Sequence, residues 1–333
     1  MLKVRPFVVG KVPHDALKRA VYPYTGKRNI RLLVGPGIGK DIAAIKYHPV
    51  LVLTADPITG TSTRIGEHSV HVNANDIATA GASPMWYMCT ILLSRGSNEK
   101  ILAQIMNGID RASRKLGIAV VRGHTEVTPG VDRPLIAGFM IGERKGRLLR
   151  AVDARPGDLV LMTKTAGIEG TAILASDHAS RLHHVKSQSL LGARKFFNDL
   201  SIVREALTIS KIHGVRVMHD PTEGGVINAC WELAEASRLG IEIWGGRIPI
   251  AQETREICSE LRMDPLRLMS SGCLLAIVAQ SSISQVAAML RKLRVQATVI
   301  GKMRTRGEGR RYSLNGRIFQ LRPVPRDELY KLA

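Results

Sequence analysis

The chain has 333 residues, comfortable for two domains, and its 45% hydrophobic content allows a sizeable core. Only 4% of residues are aromatic, so that core is expected to be mostly aliphatic and alanine. Forty-eight Lys and Arg against 28 Asp and Glu give a formal net charge of +20; this composition excludes a disordered or low-complexity chain and directs attention to anionic ligands.

The segment Met1–Pro6 lacks the long apolar stretch of a signal peptide, and no apolar run approaches the ~18 residues that span a bilayer. A cytoplasmic protein with no membrane partner is the expectation. Val50–Thr54 is a compact aliphatic run and predicts a buried strand. Residues 66–82, rich in Ala and Val, predict a helix ending at Gly81, and Met85–Leu93 predicts a strand. Ser97 is the expected N-cap of a helix carrying Ile101, Ile105, Ile109 and Ala112 at helical spacing, with Gly117 as its stop. Strands follow at Ile118–Arg122 and Leu135–Ile141. The turn-rich, charged stretch from Gly142 to Asp158 is the expected boundary between domains at 1–150 and 151–333.

Beyond it, Asp158–Thr163 reads as a strand and 190–210 as helical. Gly225–Leu239 reads as a helix with Val226, Cys230, Leu233 and Ala234 turned inward. Strands at Ile241–Trp244 and Cys273–Ala279, a helix at Ser282–Leu293 and a strand at Gln296–Ile300 complete the pattern. Cys89, Cys230, Cys258 and Cys273 form no CxxC pair and predict small buried hydrophobes rather than a zinc site. The late Arg and Lys residues, from Arg291 to Arg317, are interleaved with few aromatics and match no nucleic-acid motif. Attraction of a polyanionic substrate such as ATP, or a generally basic proteome, explains them without a nucleic-acid partner.

Against this basic background, five segments hold acids in small, Gly- and Ala-rich surroundings. Gly35, Gly37 and Gly39 precede Lys40-Asp41 in a loop that is neither a Walker A motif nor GxGxxG, yet permits close backbone approach to phosphate. Asp56 follows a buried strand, where a capped turn is the plainer reading. Asn75-Asp76 interrupts a helix otherwise built of Val, Ala and Ile; burial there demands a partner, and a metal is one. His124-Thr125-Glu126 follows a strand; a lone histidine there is more often a structural hydrogen-bonder than a ligand, and Glu126 is the better candidate for an oxygen ligand. Asp220-Pro221-Thr222-Glu223-Gly224-Gly225 opens a helix whose free N–H groups favour anions. Capping explains one of its two acids. Carboxylates of this kind suit Mg²⁺, which prefers oxygen ligands and retains phosphate oxygens beside them.

In this order the segments resemble the AIR synthase (PurM) superfamily, which includes HypE-like hydrogenase-maturation proteins, thiamine-monophosphate kinase and selenophosphate synthetase. The resemblance spans residues 30–300. It is carried by Gly37–Ile45, Thr54-Ala55-Asp56, Ala74–Pro84, Gly123–Glu126 and His219–Val226, and the run from Glu232 to Ile250 is most similar to HypE. It implies an α+β, PurM-like two-domain fold: an N-terminal mixed α/β domain that forms a dimeric β-barrel with a second copy, plus a C-terminal α/β domain. ATP and Mg²⁺ are the implied cofactors, with Asp41, Asp56, Asp76, Glu126, Asp220 and Glu223 as metal ligands. Gly35, Gly37, Gly39, Asp41, Asn75, Thr222, Gly224 and Gly225 are the implied nucleotide contacts, and Asp76, Lys40 and His124 the implied catalytic groups.

The chain departs from the pattern at Lys40, Arg122 and His124, and the sequence ends without the C-terminal cysteine on which HypE carries its substrate. The expected function is ATP- and Mg²⁺-dependent phosphoryl transfer that activates an amide- or phosphate-type oxygen of a small-molecule or protein-borne acceptor. A thiamine-monophosphate kinase-like phosphotransferase and a catalytically reduced nucleotide-binding assembly protein are the alternatives.

Overall fold

A computed structural model describes His14 and residues 31–34, 37–40 and 42–332. Its first sheet contains β1 (Leu32–Val34), β2 (Ala43–Ile45), β3 (Val50–Ile58), β4 (Ser83–Leu93), β5 (Ala119–Val127) and β6 (Leu135–Arg144), in the order β1-β2-β3-β6-β4-β5. β3 and β6 pair antiparallel along their length, from Val50 opposite Arg144 to Ile58 opposite Ile136. β4 and β5 pair in parallel, which requires a crossover, and α2 (Glu99–Leu116) supplies it. The N-cap of α2 is Asn98 rather than Ser97: Asn98 is the extended residue, and its side chain accepts from the Ile101 N–H at 3.2 Å. Gly117 ends α2 in the left-handed region as expected.

α1 (Ile65–Thr79) is buried at all fifteen positions. It packs on the first sheet and against α2, and its other side meets the C-terminal half of the chain. That half is built on a second sheet of β7 (Leu159–Thr163), β8 (Val215–His219), β9 (Gly240–Trp244), β10 (Leu275–Val278), β11 (Ala297–Arg304), β12 (Arg310–Leu314) and β13 (Arg317–Gln320). The order is β13-β12-β9-β11-β7-β10-β8, antiparallel except between β9 and β12. Alternate residues of β7 feed different cores: Val160 and Met162 face one built from C-terminal elements, while Leu161 faces the other, which also holds α1. The two sheets are therefore joined through a shared apolar layer with α1 at its centre.

Helices on the second sheet are α3 (Ile168–Asp177), α4 (Ser187–Arg194), α5 (Val203–Ile209), α6 (Gly225–Ser237), α7 (Gln252–Glu260) and α8 (Ile283–Lys292). The single helical stretch expected over 190–210 is broken into α4, a 3₁₀ turn at Lys195–Asn198, and α5. The reason lies elsewhere in the chain. Lys164 Nζ donates to the carbonyls of Asp199 and Ser201 at 3.0 and 2.9 Å. Asn75 Nδ2 donates to the Leu200 carbonyl at 2.8 Å, and Asn75 Oδ1 accepts from the Ile202 N–H at 2.9 Å. Side chains thus take the backbone groups that a continuous helix would have paired. All four cysteines are free and buried. Among the described residues no helix is long and apolar enough to cross a membrane.

Candidate active site

A cavity of about 760 Å³ opens between the two halves of the molecule. One wall comes from the end of β3, the face of α1 and the middle of β6; the other comes from Glu169 on α3, the Thr222-Glu223 turn, Met269, Ser271 and Tyr330. His68, Val72 and Asp76 all line it. They stand four residues apart on α1 and therefore share one helical face, with about 12 Å of helix rise from His68 to Asp76.

Asp56 and Asp76 meet at one end. Thr54 Oγ1 donates to Asp76 Oδ2 at 2.7 Å and lies 3.5 Å from Asp56 Oδ2, so one hydroxyl ties a β3 carboxylate to an α1 carboxylate. Asn73 holds the strand to the helix: its Oδ1 accepts the Asp56 N–H at 3.1 Å, and its Nδ2 donates to the Ser69 carbonyl at 2.9 Å. Lys40 lines the same cavity. Across from them, Glu223 Oε1 accepts from the Tyr330 hydroxyl at 2.8 Å.

The helix opening at Gly224-Gly225 is occupied differently from the sequence expectation. The Gly224 N–H donates to Asp327 Oδ2 at 2.6 Å, so a carboxylate of the C-terminal segment sits where an anion was expected. Gly225, at φ +62°, packs so closely that a Cβ would stand 2.6 Å from the carbonyl oxygens of Leu266 and Leu268. Asp327 is 2% exposed, and burial raises its carboxyl to about 7 even though backbone N–H groups of Leu329, Gly224 and Met269 oppose the rise.

Of the sequence-predicted residues, Lys40, Asp56, Asp76, Thr222 and Glu223 line the cavity. Gly35 and Asp41 lie outside the described residues. Gly37 sits against the Lys40 side chain, and Gly39 packs on α6, where a Cβ would come within 2.6 Å of the Glu232 carbonyl. Asn75 bridges to the loop before α5. Asp220 is buried at 1% exposure and does not line the cavity. His124 and Glu126 pair with each other at 3.1 Å on the exposed strand β5, away from the cavity. Asn73, His68 and Glu169 were not singled out from sequence, and Thr54 appeared there only as part of the Thr54-Ala55-Asp56 motif; the one signal for His68 is its placement two four-residue steps before Asp76.

Two carboxylates converging on one hydroxyl fit a hard cation that completes its shell with phosphate oxygens. Among the described residues no three His, Cys, Asp or Glu side chains form a metal-holding group, so Asp56 and Asp76 are the pair the fold brings together.

Residues 39–144 match the family model for the N-terminal domain of AIR synthase related proteins, and residues 155–313 match that for the C-terminal domain. A putative hydrogenase expression/formation protein of Methanocaldococcus jannaschii is 30% identical over 310 residues, covering 88% of this chain and 88% of its own. Carbamoyl dehydratase HypE of Rhizobium leguminosarum bv. viciae is 30% identical over 265 residues, covering 75% of this chain and 73% of its own. A solved structure of hydrogenase maturation protein HypE in complex with ATP superposes with a TM-score of 0.72 at 23% identity, covering 96% of both chains.

Proposed function

Since this chain belongs to the AIR synthase related family, we propose that it binds ATP with Mg²⁺ in the interdomain cavity and transfers the γ-phosphoryl group to an amide-type oxygen of an acceptor. The observation that carries this reading is the Asp56–Thr54–Asp76 cluster on the cavity wall. Asp56 and Asp76 would hold the metal, with Glu223 facing them from the other half and Lys40 close to the phosphates. The metal supplies neutralisation of the charge on the transferring phosphate oxygens. The residues of this chain hold the nucleotide, align it in line with the acceptor and exclude water. A HypE structure holding ATP supports the nucleotide, and a carbamoyl dehydratase among the relatives supports an acceptor bearing a C(=O)–NH₂ group.

The test is isothermal titration with a non-hydrolysable ATP analogue and Mg²⁺. Asp76→Ala removes the shorter of the two Thr54 carboxylate contacts and one of the two acids proposed to hold the metal. A loss of affinity of ~10-fold or more is expected, the scale of losing a charge-assisted contact. Wild-type affinity in the variant would exclude Asp76 from the nucleotide site.

A further inference from the structure

The outer corner of the second sheet lies past residue 313, where the match to the family's C-terminal domain ends. There β12 and β13 form a hairpin closed by Asn315 and Gly316, both in the left-handed region at φ 50° and 74°. Positive φ at both central positions is the geometry of a tight two-residue hairpin turn, so β13 is held as a defined strand. It is the edge of the sheet, and all four of its residues are exposed. Two of them are large and apolar: Ile318 is 72% exposed and Phe319 39%. Phe319 stands opposite Tyr312, and the two rings stack with centroids 5.0 Å apart at 22°. Beside this stack opens a cleft of about 520 Å³ whose other walls include Ile227 of α6, Arg267, Arg322 and Pro323. The stretch after β13 is anchored, since the Leu321 N–H donates to the Arg310 carbonyl at 2.9 Å and the Val324 N–H to Asn228 Oδ1 at 3.0 Å. No residue of the cleft lines the interdomain cavity.

Charge at this corner is unevenly matched. Further in, Arg304 and Arg311 share Glu242 at 2.6 and 3.5 Å, and Arg310 meets Glu235 at 2.8 Å. At the rim, Arg322 donates to the neutral amide oxygen of Gln320 at 3.2 and 3.0 Å, and neither it nor Arg317 meets a carboxylate among the described residues. Arg267 lies 3.4 Å from Asp264 in a pair that solvent screens. By strand alternation Arg317 shares the face of Phe319. These features select among occupants. Open main-chain groups at a sheet edge are satisfied by the alternating N–H and C=O groups of another strand, which a nucleic acid does not have. A second copy of the chain would bring this rim of unpaired arginines against its own image, a like-charge contact. An acidic strand matches both the backbone and the charge.

We propose that β13 takes up an extended acidic segment of another protein, added to the sheet as a further strand. Neighbouring strands lie ~4.8 Å apart, so side chains of the added strand reach the Tyr312–Phe319 stack. An apolar side chain on that face enters the cleft, and carboxylates two residues to either side, on the same face, meet Arg317 and the arginines of the cleft.

The test uses the full chain and a fluorescein-labelled peptide, Glu-Thr-Glu-Val-Phe-Val-Glu-Thr-Glu with blocked ends, followed by fluorescence anisotropy. Saturable binding that weakens with added salt is expected. Arg317→Glu combined with Arg322→Glu is expected to weaken it ~10-fold or more, and Phe319→Ala by a similar factor, the scale of losing an interface anchor. A peptide with proline in place of both valines keeps the charge but lacks the strand's N–H groups, and is expected not to bind. Because that comparison leaves the protein intact, it decides the matter even where a substitution disturbs the hairpin. Absence of binding by the wild type overturns the proposal. So does a proline peptide bound as tightly as its parent, since charge alone would then explain the contact. Displacement of the peptide by a single-stranded oligothymidylate at lower concentration overturns it in favour of nucleic acid. A sedimenting dimer lost in Phe319→Ala overturns it in favour of a second copy.

Discussion

Asn75 and Asp76 are neighbours on α1 that a sequence reading treats alike, as polar groups in need of a partner. They face different directions on the helix. Asp76 reaches the cavity, while Asn75 finds two backbone partners, the Leu200 carbonyl and the Ile202 N–H, on a segment far along the chain. A similar contrast separates Glu223, which faces the cavity, from the glycines after it, whose space is taken by Asp327 and the 266–268 backbone. Asp327 has a consequence for stability. Burial holds its carboxyl at about 7 in the folded chain, above the ordinary 3.8 of an aspartate. The native state therefore binds a proton that the unfolded state has already released. This contribution is present in full below about pH 4, is lost as pH rises toward 7, and is constant above. Between pH 5 and 8 it amounts to a loss on the order of 2 kcal/mol. Urea unfolding at the two pH values is expected to show this loss in the wild type and a smaller one in Asp327→Asn. Equal pH dependence in both proteins would refute it.

α1 carries Asp76 and His68, and its position follows from contacts closer than side chains normally allow. A Cβ on Gly66 would lie 2.1 Å from the Ile105 carbonyl oxygen, and one on Gly108 would lie 3.0 Å from the Glu67 nitrogen, so α1 and α2 cross backbone to backbone. Gly66→Ala gains ~1 kcal/mol of helix propensity. It also meets a main-chain oxygen that cannot yield without moving α2, at a cost of ~1–3 kcal/mol or more. A net loss of stability in urea unfolding is expected; an alanine variant as stable as the wild type would mean that the helices are free to separate. The helix itself was legible from its Ala- and Val-rich run, but its burial on every side was not, because a central helix has no polar face to mark its orientation. The strands at Val50, Leu135 and Ile241 were legible for the related reason that short aliphatic runs need cover. The break in 190–210 was not, since Lys164 and Asn75 cause it from outside the segment. Asp56 and Asp76 stood out because one follows an aliphatic run and the other interrupts an apolar helix, although β3 continues through Asp56 to Ile58 rather than ending at Thr54. The His68–Glu169 pair on the cavity wall did not stand out, because neither residue departs from its local pattern and only the fold brings them together.

At the scale of the whole molecule, β5 is the conspicuous open element. It is the edge of the first sheet, all nine of its residues are exposed, and Val120, Val121 and Val127 are 43%, 51% and 56% exposed. Unpaired N–H and C=O groups beside apolar side chains form a template for another strand, and monomeric proteins normally blunt such an edge. A second copy of this chain would satisfy the edge symmetrically, since a two-fold axis brings the same strand against itself. His124 and Glu126, exposed on β5 and outside the cavity lining of their own chain, would then lie at the subunit boundary. Closing the edge must overcome the repulsion of two chains of formal charge +20, so association is expected to strengthen as salt screens them over a Debye length of ~10 Å at 0.1 M. Sedimentation of the full chain at micromolar concentration is expected to show a dimer that tightens with salt. Val121→Lys, which adds a charge to the strand and leaves the cavity untouched, is expected to sediment as a monomer with unchanged nucleotide affinity. A monomeric wild type, or a dimer indifferent to Val121→Lys, would remove β5 as the contact and leave its exposure to another partner.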